Sequence, residues 1–350
     1  MKTLQQIKNE LKEYDGRKIK IMEVCGTHTS SIFKNGIRSL ISSQIQLISG
    51  PGCPVCVTSS TYIDKLIDYS LNENHCVLTF GDMMKVRGNK LSLIEAKAIG
   101  ANVKIIYSPL AAIKIAIENT HTQFIFAAVG FETTTPIYAL LIQEIINNNI
   151  KNLKLMTSIK TIIPALEYIC ENEKGIDAFL SPGHVSVITG SLAYKDLSEE
   201  YHKPFVVGGF EGEEILTAIY EIVQQVKYNQ CKLKNMYTSA VSEEGNAKAM
   251  EIINRYFERT DAYWREIGII KNSGLRLKAE YEDYNACIDL ESCAETTTQN
   301  GCRCREVILG RINPIDCPLF KNVCTPLNAI GPCMVSSEGA CGIWYKNKGE

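Results

Sequence analysis

The chain has 350 residues, a formal net charge of -2, 45% hydrophobic residues and 22% charged ones. That length accommodates two or three domains with a large core, and the near-neutral balance argues against nucleic acid or an anionic membrane surface as partner. The first twenty positions carry charges throughout and contain no secretory apolar segment, and no run reaches the roughly 18 apolar residues of a membrane span. The expectation is a soluble, cytoplasmic protein.

In chain order, residues 1–18 read as an amphipathic helix ending near Gly16, and Lys18 to Val24 as a strand that runs into Cys25-Gly26-Thr27-His28. Ile45 to Ser49 is a second strand, followed by Gly50-Pro51-Gly52-Cys53-Pro54-Val55-Cys56-Val57-Thr58 and a helix from Ser59 with Ile63, Leu66 and Ile67 on one face. Cys76 to Phe80 is a strand leading into a polar loop with Asp82, Lys85 and Arg87, which reads as solvated surface or as a partner contact. Strands at Val103 to Tyr107, Phe124 to Val129, Leu153 to Thr157, Asp177 to Leu180 and Phe205 to Val207 then alternate with helices. The last helix of the series is Glu213 to Val226.

This alternation predicts an α/β fold with parallel sheets flanked by helices, divided into two lobes, 1–118 and 119–235. Each unusual motif follows a strand, at the edge where open α/β sheets bind ligands, so the motif loops should meet in a cleft between the lobes. Beyond that, 236–350 reads as one helix from Ser242 to Arg259 and then an irregular, cysteine-rich unit of the kind that needs a metal staple.

Cysteine is the compositional anomaly. The chain has fourteen, and eight lie between Cys287 and Cys341. In a reducing compartment that density points to a metal or an iron–sulfur cluster rather than to disulfides. Cys25 is a thiol at a strand end beside a glycine, and a helix starting there would favour its thiolate. Cys53 and Cys56 could ligate zinc, although no second Cys-x-x-Cys is present, or could form a redox dithiol in which a helix start stabilises one thiolate. Glu132, in Gly130-Phe131-Glu132-Thr133-Thr134, reads either as a helix N-terminal acid beside Thr caps or as a cleft residue handling protons. Gly209-Phe210-Glu211 echoes it, and His184 occupies the strand-end loop Ser181-Pro182-Gly183-His184. No phosphate-binding Gly-Lys-Ser/Thr loop and no Gly-x-Gly-x-x-Gly turn occur.

Together these motifs, with Ser181-Pro182-Gly183-His184-Val185-Ser186 and the C-terminal run Gly331-Pro332-Cys333-Met334-Val335-Ser336-Ser337-Glu338-Gly339-Ala340-Cys341, resemble the HypD family of NiFe-hydrogenase maturation factors over about residues 18–345. The resemblance implies a scaffold and electron donor for the iron centre that carries one carbonyl and two cyanides. It implies a HypC-type small chaperone that shares the iron and a HypE-type partner that supplies cyanide. By resemblance Cys25 holds the iron, His28 is a neighbouring proton-handling group, and Cys53 with Cys56 is a redox-active pair. The set Cys302, Cys317, Cys324 and Cys341, spaced C-x14-C-x6-C-x16-C, would bind a 4Fe-4S cluster, with Cys304 and Cys333 the nearest competitors and Cys287 and Cys293 weaker candidates. Functional roles for Glu132 and His184 belong to the same reading. Two rivals remain: an iron–sulfur oxidoreductase acting on a small molecule, and a zinc-stapled binding module.

Overall fold

The computed structural model describes residues 2–286 and 301–347. Cys287 and Cys293 lie outside the described residues. The first sheet has the order β2-β1-β7-β8-β9, where β1 is Ile19–Glu23, β2 Ile45–Ser49, β7 Ala178–Pro182, β8 Phe205–Gly208 and β9 Leu233–Asn235, and all its pairings are parallel. The second has the order β10-β11-β6-β5-β3-β4, with β3 His75–Thr79, β4 Val103–Ile105, β5 Gln123–Gly130, β6 Leu153–Lys160, β10 Phe257–Trp264 and β11 Gly268–Leu277. Its β3–β6 part is parallel, and the β10–β11 hairpin joins β6 antiparallel.

Strand-period alternation explains why these segments are buried on both faces. In β5, Phe124, Phe126 and Ala128 enter the core on the outer side of the second sheet, while Ile125, Ala127 and Val129 enter a core shared with the first sheet and the C-terminal unit. In β1, Ile19 and Ile21 face the outer core of the first sheet and Met22 faces the shared one. The shared core fixes the two lobes against each other.

The lobes are interleaved in the chain. Residues 1–118 contribute β1 and β2 to one sheet and β3 and β4 to the other, so the expected division at 118 and 235 does not coincide with the sheets. The C-terminal region also differs from expectation. The helix is Ala247–Tyr256, capped by Asn246, because Ser242 instead accepts the Gly245 amide in a turn. The segment after it is the hairpin β10–β11, whose register shifts between Thr260 and Ala262. That bulge breaks the alternation that would have marked a strand. Trp264 at the hairpin end is fully buried, its indole N–H donating to Ser273 Oγ at 2.7 Å.

Candidate functional site

A cleft of about 370 Å³ opens where the carboxyl ends of the two sheets meet. Cys25, His184, Thr133, Thr134 and Glu338 supply its polar lining, and Val24, Phe131, Ile162 and Val185 much of its apolar wall. Four loops following β1, β2, β5 and β7 therefore converge, as parallel topology requires.

Cys25 lies two residues beyond the end of β1 and is the N-cap of the helix Gly26–Lys34. Burial pushes its thiol up, against the hydrogen bonds from the Thr27 side chain and from the Thr27 and His28 amides. The helix start does stabilise the thiolate, as the sequence led us to expect, but desolvation outweighs it. Two close approaches pack other segments onto this point. A Cβ at Gly52 would lie 2.1 Å from the Val24 carbonyl oxygen, and one at Gly26 would lie 2.3 Å from that of Glu338. Only glycine lets the dithiol loop and the C-terminal unit touch the Cys25 backbone.

His28 is fully buried, and its Nε2–H donates to the carbonyls of Gly208 at 3.1 Å and Gly209 at 3.0 Å. Those acceptors place the proton on Nε2 and leave Nδ1 without a partner among the described residues. Burial holds the ring down at about 4, so it is neutral near pH 7 and ties the Cys25 helix to the end of β8. Phe210 stacks against His28 at 4.7 Å and against His184 at 4.0 Å. The ring of the Gly209-Phe210-Glu211 motif thus packs against the cleft-lining His184, while Glu211 caps its own helix, Gly212–Lys227.

Glu132 does not cap the helix that follows it. Its Oε1 accepts the Ile162 amide at 2.8 Å, at the start of the helix Ile162–Asn172, whose N-cap Thr161 makes no side-chain cap. Its Oε2 is buried with no partner among the described residues, and burial raises the carboxyl to about 7. Glu132 is buried beside the cleft, next to the lining residues Phe131 and Thr133. In the polar loop after β3, Arg87 pairs with Glu95 at 3.2 Å on the surface.

Cys53 and Cys56 are both buried and free, and their thiols touch each other. Cys56 sits on a single 3₁₀ turn, Val55–Val57, and the next helix begins only at Ser60. Burial and the neighbouring Cys53 push Cys56 well above the usual thiol range. The stabilised thiolate expected of this pair is therefore not found at Cys56. The hairpin braces the turn, with the Arg265 amide donating to the Val57 carbonyl at 2.9 Å.

Cys302, Cys317, Cys324 and Cys341 line one internal void in the C-terminal unit, with Cys304 and Cys333. The last two are joined in a disulfide across 29 residues, so the nearest competitors are paired with each other. Burial pushes Cys302 up to about 11 and raises Cys341 too, each further destabilised as a thiolate by the other cysteines of the set. Among the described residues no three or more His, Cys, Asp or Glu side chains converge to hold a single metal ion. A 4Fe-4S cluster takes four thiolates, the number this set supplies. The Ile330 amide donates to Cys324 Sγ at 3.3 Å. Cys333 also lines a small space with Cys53 and Cys56, so the disulfide lies between the dithiol and the four-cysteine void.

Three functional candidates escaped the sequence reading. Glu338 is a lone acid inside the cysteine array with no periodic signal. Phe210 was overshadowed by the acid beside it. The Cys304–Cys333 pairing has no local signature at all.

Fold and site define a thiol-rich α/β protein built to present one cysteine in a cleft with further cysteines behind it. A profile of the HypD family, described as "Hydrogenase formation hypA family", matches residues 1–348. The chain is 40% identical to the hydrogenase maturation factor HypD of Escherichia coli (94% of this chain, 89% of that protein), and 37% identical to HypD of Azotobacter vinelandii (94% and 89%) and of Rhodobacter capsulatus (95% and 90%). The chain belongs to the HypD family of hydrogenase maturation factors. No helix among the described residues is long and apolar enough to cross a membrane.

Proposed function

We propose that the chain holds iron at Cys25 while the Fe(CN)2CO centre of a NiFe hydrogenase is assembled, with a HypC-type chaperone sharing the metal and a HypE-type partner delivering cyanide. The observation that carries this reading is a single half-buried thiol at the wall of a cleft, with a contacting dithiol packed behind it. One thiol cannot saturate an iron ion, so the remaining positions fall to diatomic ligands and to a donor from a partner.

Binding the metal releases the Cys25 proton, and the amides of Thr27 and His28 then stabilise the bound sulfur's charge. His28, locked as a neutral donor to two carbonyls, keeps the helix start in place rather than moving protons. Glu132, buried beside the cleft-lining Phe131 and Thr133 and raised to about 7, can exchange a proton near neutrality. Oxidation of Cys53 and Cys56 to a disulfide forms one S–S bond and releases two electrons and two protons. A reductive cleavage of a carrier–cyanide bond consumes that same number. A 4Fe-4S cluster held by Cys302, Cys317, Cys324 and Cys341 would supply single electrons to restore the dithiol.

The test is anaerobic co-production with the small chaperone. The reading expects a stable complex with one iron per chain beyond the C-terminal unit and infrared bands of bound cyanide and carbonyl. A chain that binds no partner and turns over a small molecule alone would favour an oxidoreductase. A colourless preparation containing only zinc would remove the cluster.

A further inference from the structure

Arg38 is used by none of the steps above, yet its guanidinium touches four segments at once. Its Nη2 pairs with Glu23 Oε1 at 2.5 Å, and its Nη1 donates to the Leu47 carbonyl at 2.6 Å. Its Cζ lies over both the Phe33 ring at 5.2 Å and the Trp344 ring at 5.0 Å, and these rings meet edge to face at 5.0 Å. The Glu23 side chain is fully buried and Arg38 keeps only 25% of its side-chain exposure.

Each anchor is close in the chain to a different thiol centre. Glu23 lies two residues before Cys25, and Phe33 lies in the helix that Cys25 caps. Leu47 is in β2, six residues before Cys53. Trp344 is three residues after Cys341, in the same helix, Ala340–Asn347. We propose that Arg38 is a positioning residue that holds Cys25, the Cys53/Cys56 pair and the C-terminal array in register.

The chemistry selects arginine. A guanidinium donates to the carboxylate and the carbonyl while its charge lies over both rings. A lysine at this position keeps the charge beside Glu23 but loses the fork and the stack. Without any cation, Glu23 becomes an uncompensated buried carboxylate, and the C-terminal helix loses its polar tie to β1.

The functional consequence rests on the proposed redox role, so the experiment separates the two. Full-length wild type, Arg38→Lys, Arg38→Gln and Phe33→Leu are prepared anaerobically, with visible absorption, iron and sulfide reporting the C-terminal unit and thermal unfolding reporting the fold. The Cys53–Cys56 pair is oxidised, electrons are supplied by photoreduced deazaflavin, and the new thiols are counted by alkylation and mass spectrometry. Cys324→Ala gives the rate of direct reduction. Arg38→Gln should keep its colour yet regain thiols about tenfold more slowly than wild type, less than the roughly 10²-fold loss a 1 Å misplacement can cause, and Arg38→Lys should recover part of the loss. A folded, coloured Arg38→Gln protein with the wild-type rate overturns the proposal. If Arg38→Gln does not fold, Phe33→Leu leaves the Glu23 pair intact and must itself slow the reaction; a wild-type rate there overturns it equally. Should wild type be no faster than Cys324→Ala, the redox reading fails, and hydrogen exchange decides on Arg38 alone. Faster exchange in both Gly26–Lys34 and Ala340–Asn347 supports the positioning role; change confined to residues 37–40 overturns it.

Discussion

Cys25 follows a strand paired on both sides by parallel neighbours, with its loop closed over by Gly52 and its helix tied to β8 through His28. Cys302, Cys317, Cys324 and Cys341 sit instead among short helices and turns, Cys304–Ile308, Pro314–Asp316 and Ala340–Asn347, around a void. The first site is built by sheet pairing and apolar burial, which the polypeptide supplies unaided. The second has few backbone ladders of its own and is tied together by the Cys304–Cys333 disulfide. On the proposed function, a platform that receives and releases an iron fragment would need the first kind of rigidity at the exchanging site and would tolerate the second where a group stays bound.

The largest expected effect separates the two regions. Cys324→Ala should bleach the visible absorption and expose residues 301–347 to rapid amide exchange, with β1 to β8 exchanging as in wild type. Loss of protection across both sheets would show that the lobes lean on the C-terminal unit more than their pairing implies. In the opposite direction, Gly52→Ala forces a methyl against the Val24 carbonyl and should cost about 3 kcal/mol in denaturant unfolding, with the C-terminal absorption unchanged. A neutral result would mean the loop moves away from Cys25 at little cost.

A pH experiment sharpens the account of the cleft. The Glu132 carboxyl is raised from 4.5 to about 7 by burial, so the native state binds a proton that the unfolded state has released between those values. Its contribution is complete below pH 4.5 and is lost as pH rises through 7, on the order of 3 kcal/mol. His28, lowered from 6.5 to about 4, acts in the opposite sense: its contribution is present above pH 6.5 and is lost as pH falls through 4. The two slopes offset between about pH 4.5 and 6.5 in wild type. Glu132→Gln should therefore turn a flat stability profile into one that rises with pH across that window. An unchanged profile contradicts the burial of the carboxyl. The smallest effect is expected at the hairpin surface, where Arg276 meets Glu258 at 2.9 Å with 61% and 41% of their side chains exposed. Arg276→Ala should change stability by no more than about 0.5 kcal/mol.

Much of the sheet architecture was legible because parallel strands buried on both faces leave near-continuous apolar runs, as at Phe124 to Val129, each followed by a motif loop. The helix expected from Ser59 starts at Ser60 with Ser59 as its cap, its Oγ accepting the Tyr62 amide at 3.1 Å. What periodicity does not encode is which sheet a strand joins, so the interleaving of lobes was invisible. The hairpin was missed because its polar residues Glu258, Arg259 and Asp261 and its bulge hide a single buried face. At the site, the convergence of Cys25, His184 and the Gly130–Thr134 loop on one cleft followed from strand ends alone. The thiol acidities did not, because the sign of a shift depends on how deeply a sulfur is buried, which neighbouring residues in sequence do not reveal. Arg38 reads locally as one more basic residue after Gly36-Ile37; its role emerges only when Trp344 arrives from the other end of the chain.

The most direct test of the central claim compares Cys25→Ala with wild type, each co-produced with the small chaperone and the cyanide donor and examined by infrared spectroscopy alongside visible absorption. The account predicts that the variant loses the bands of iron-bound cyanide and carbonyl while keeping the full absorption of the C-terminal unit. Undiminished infrared bands in Cys25→Ala would contradict it.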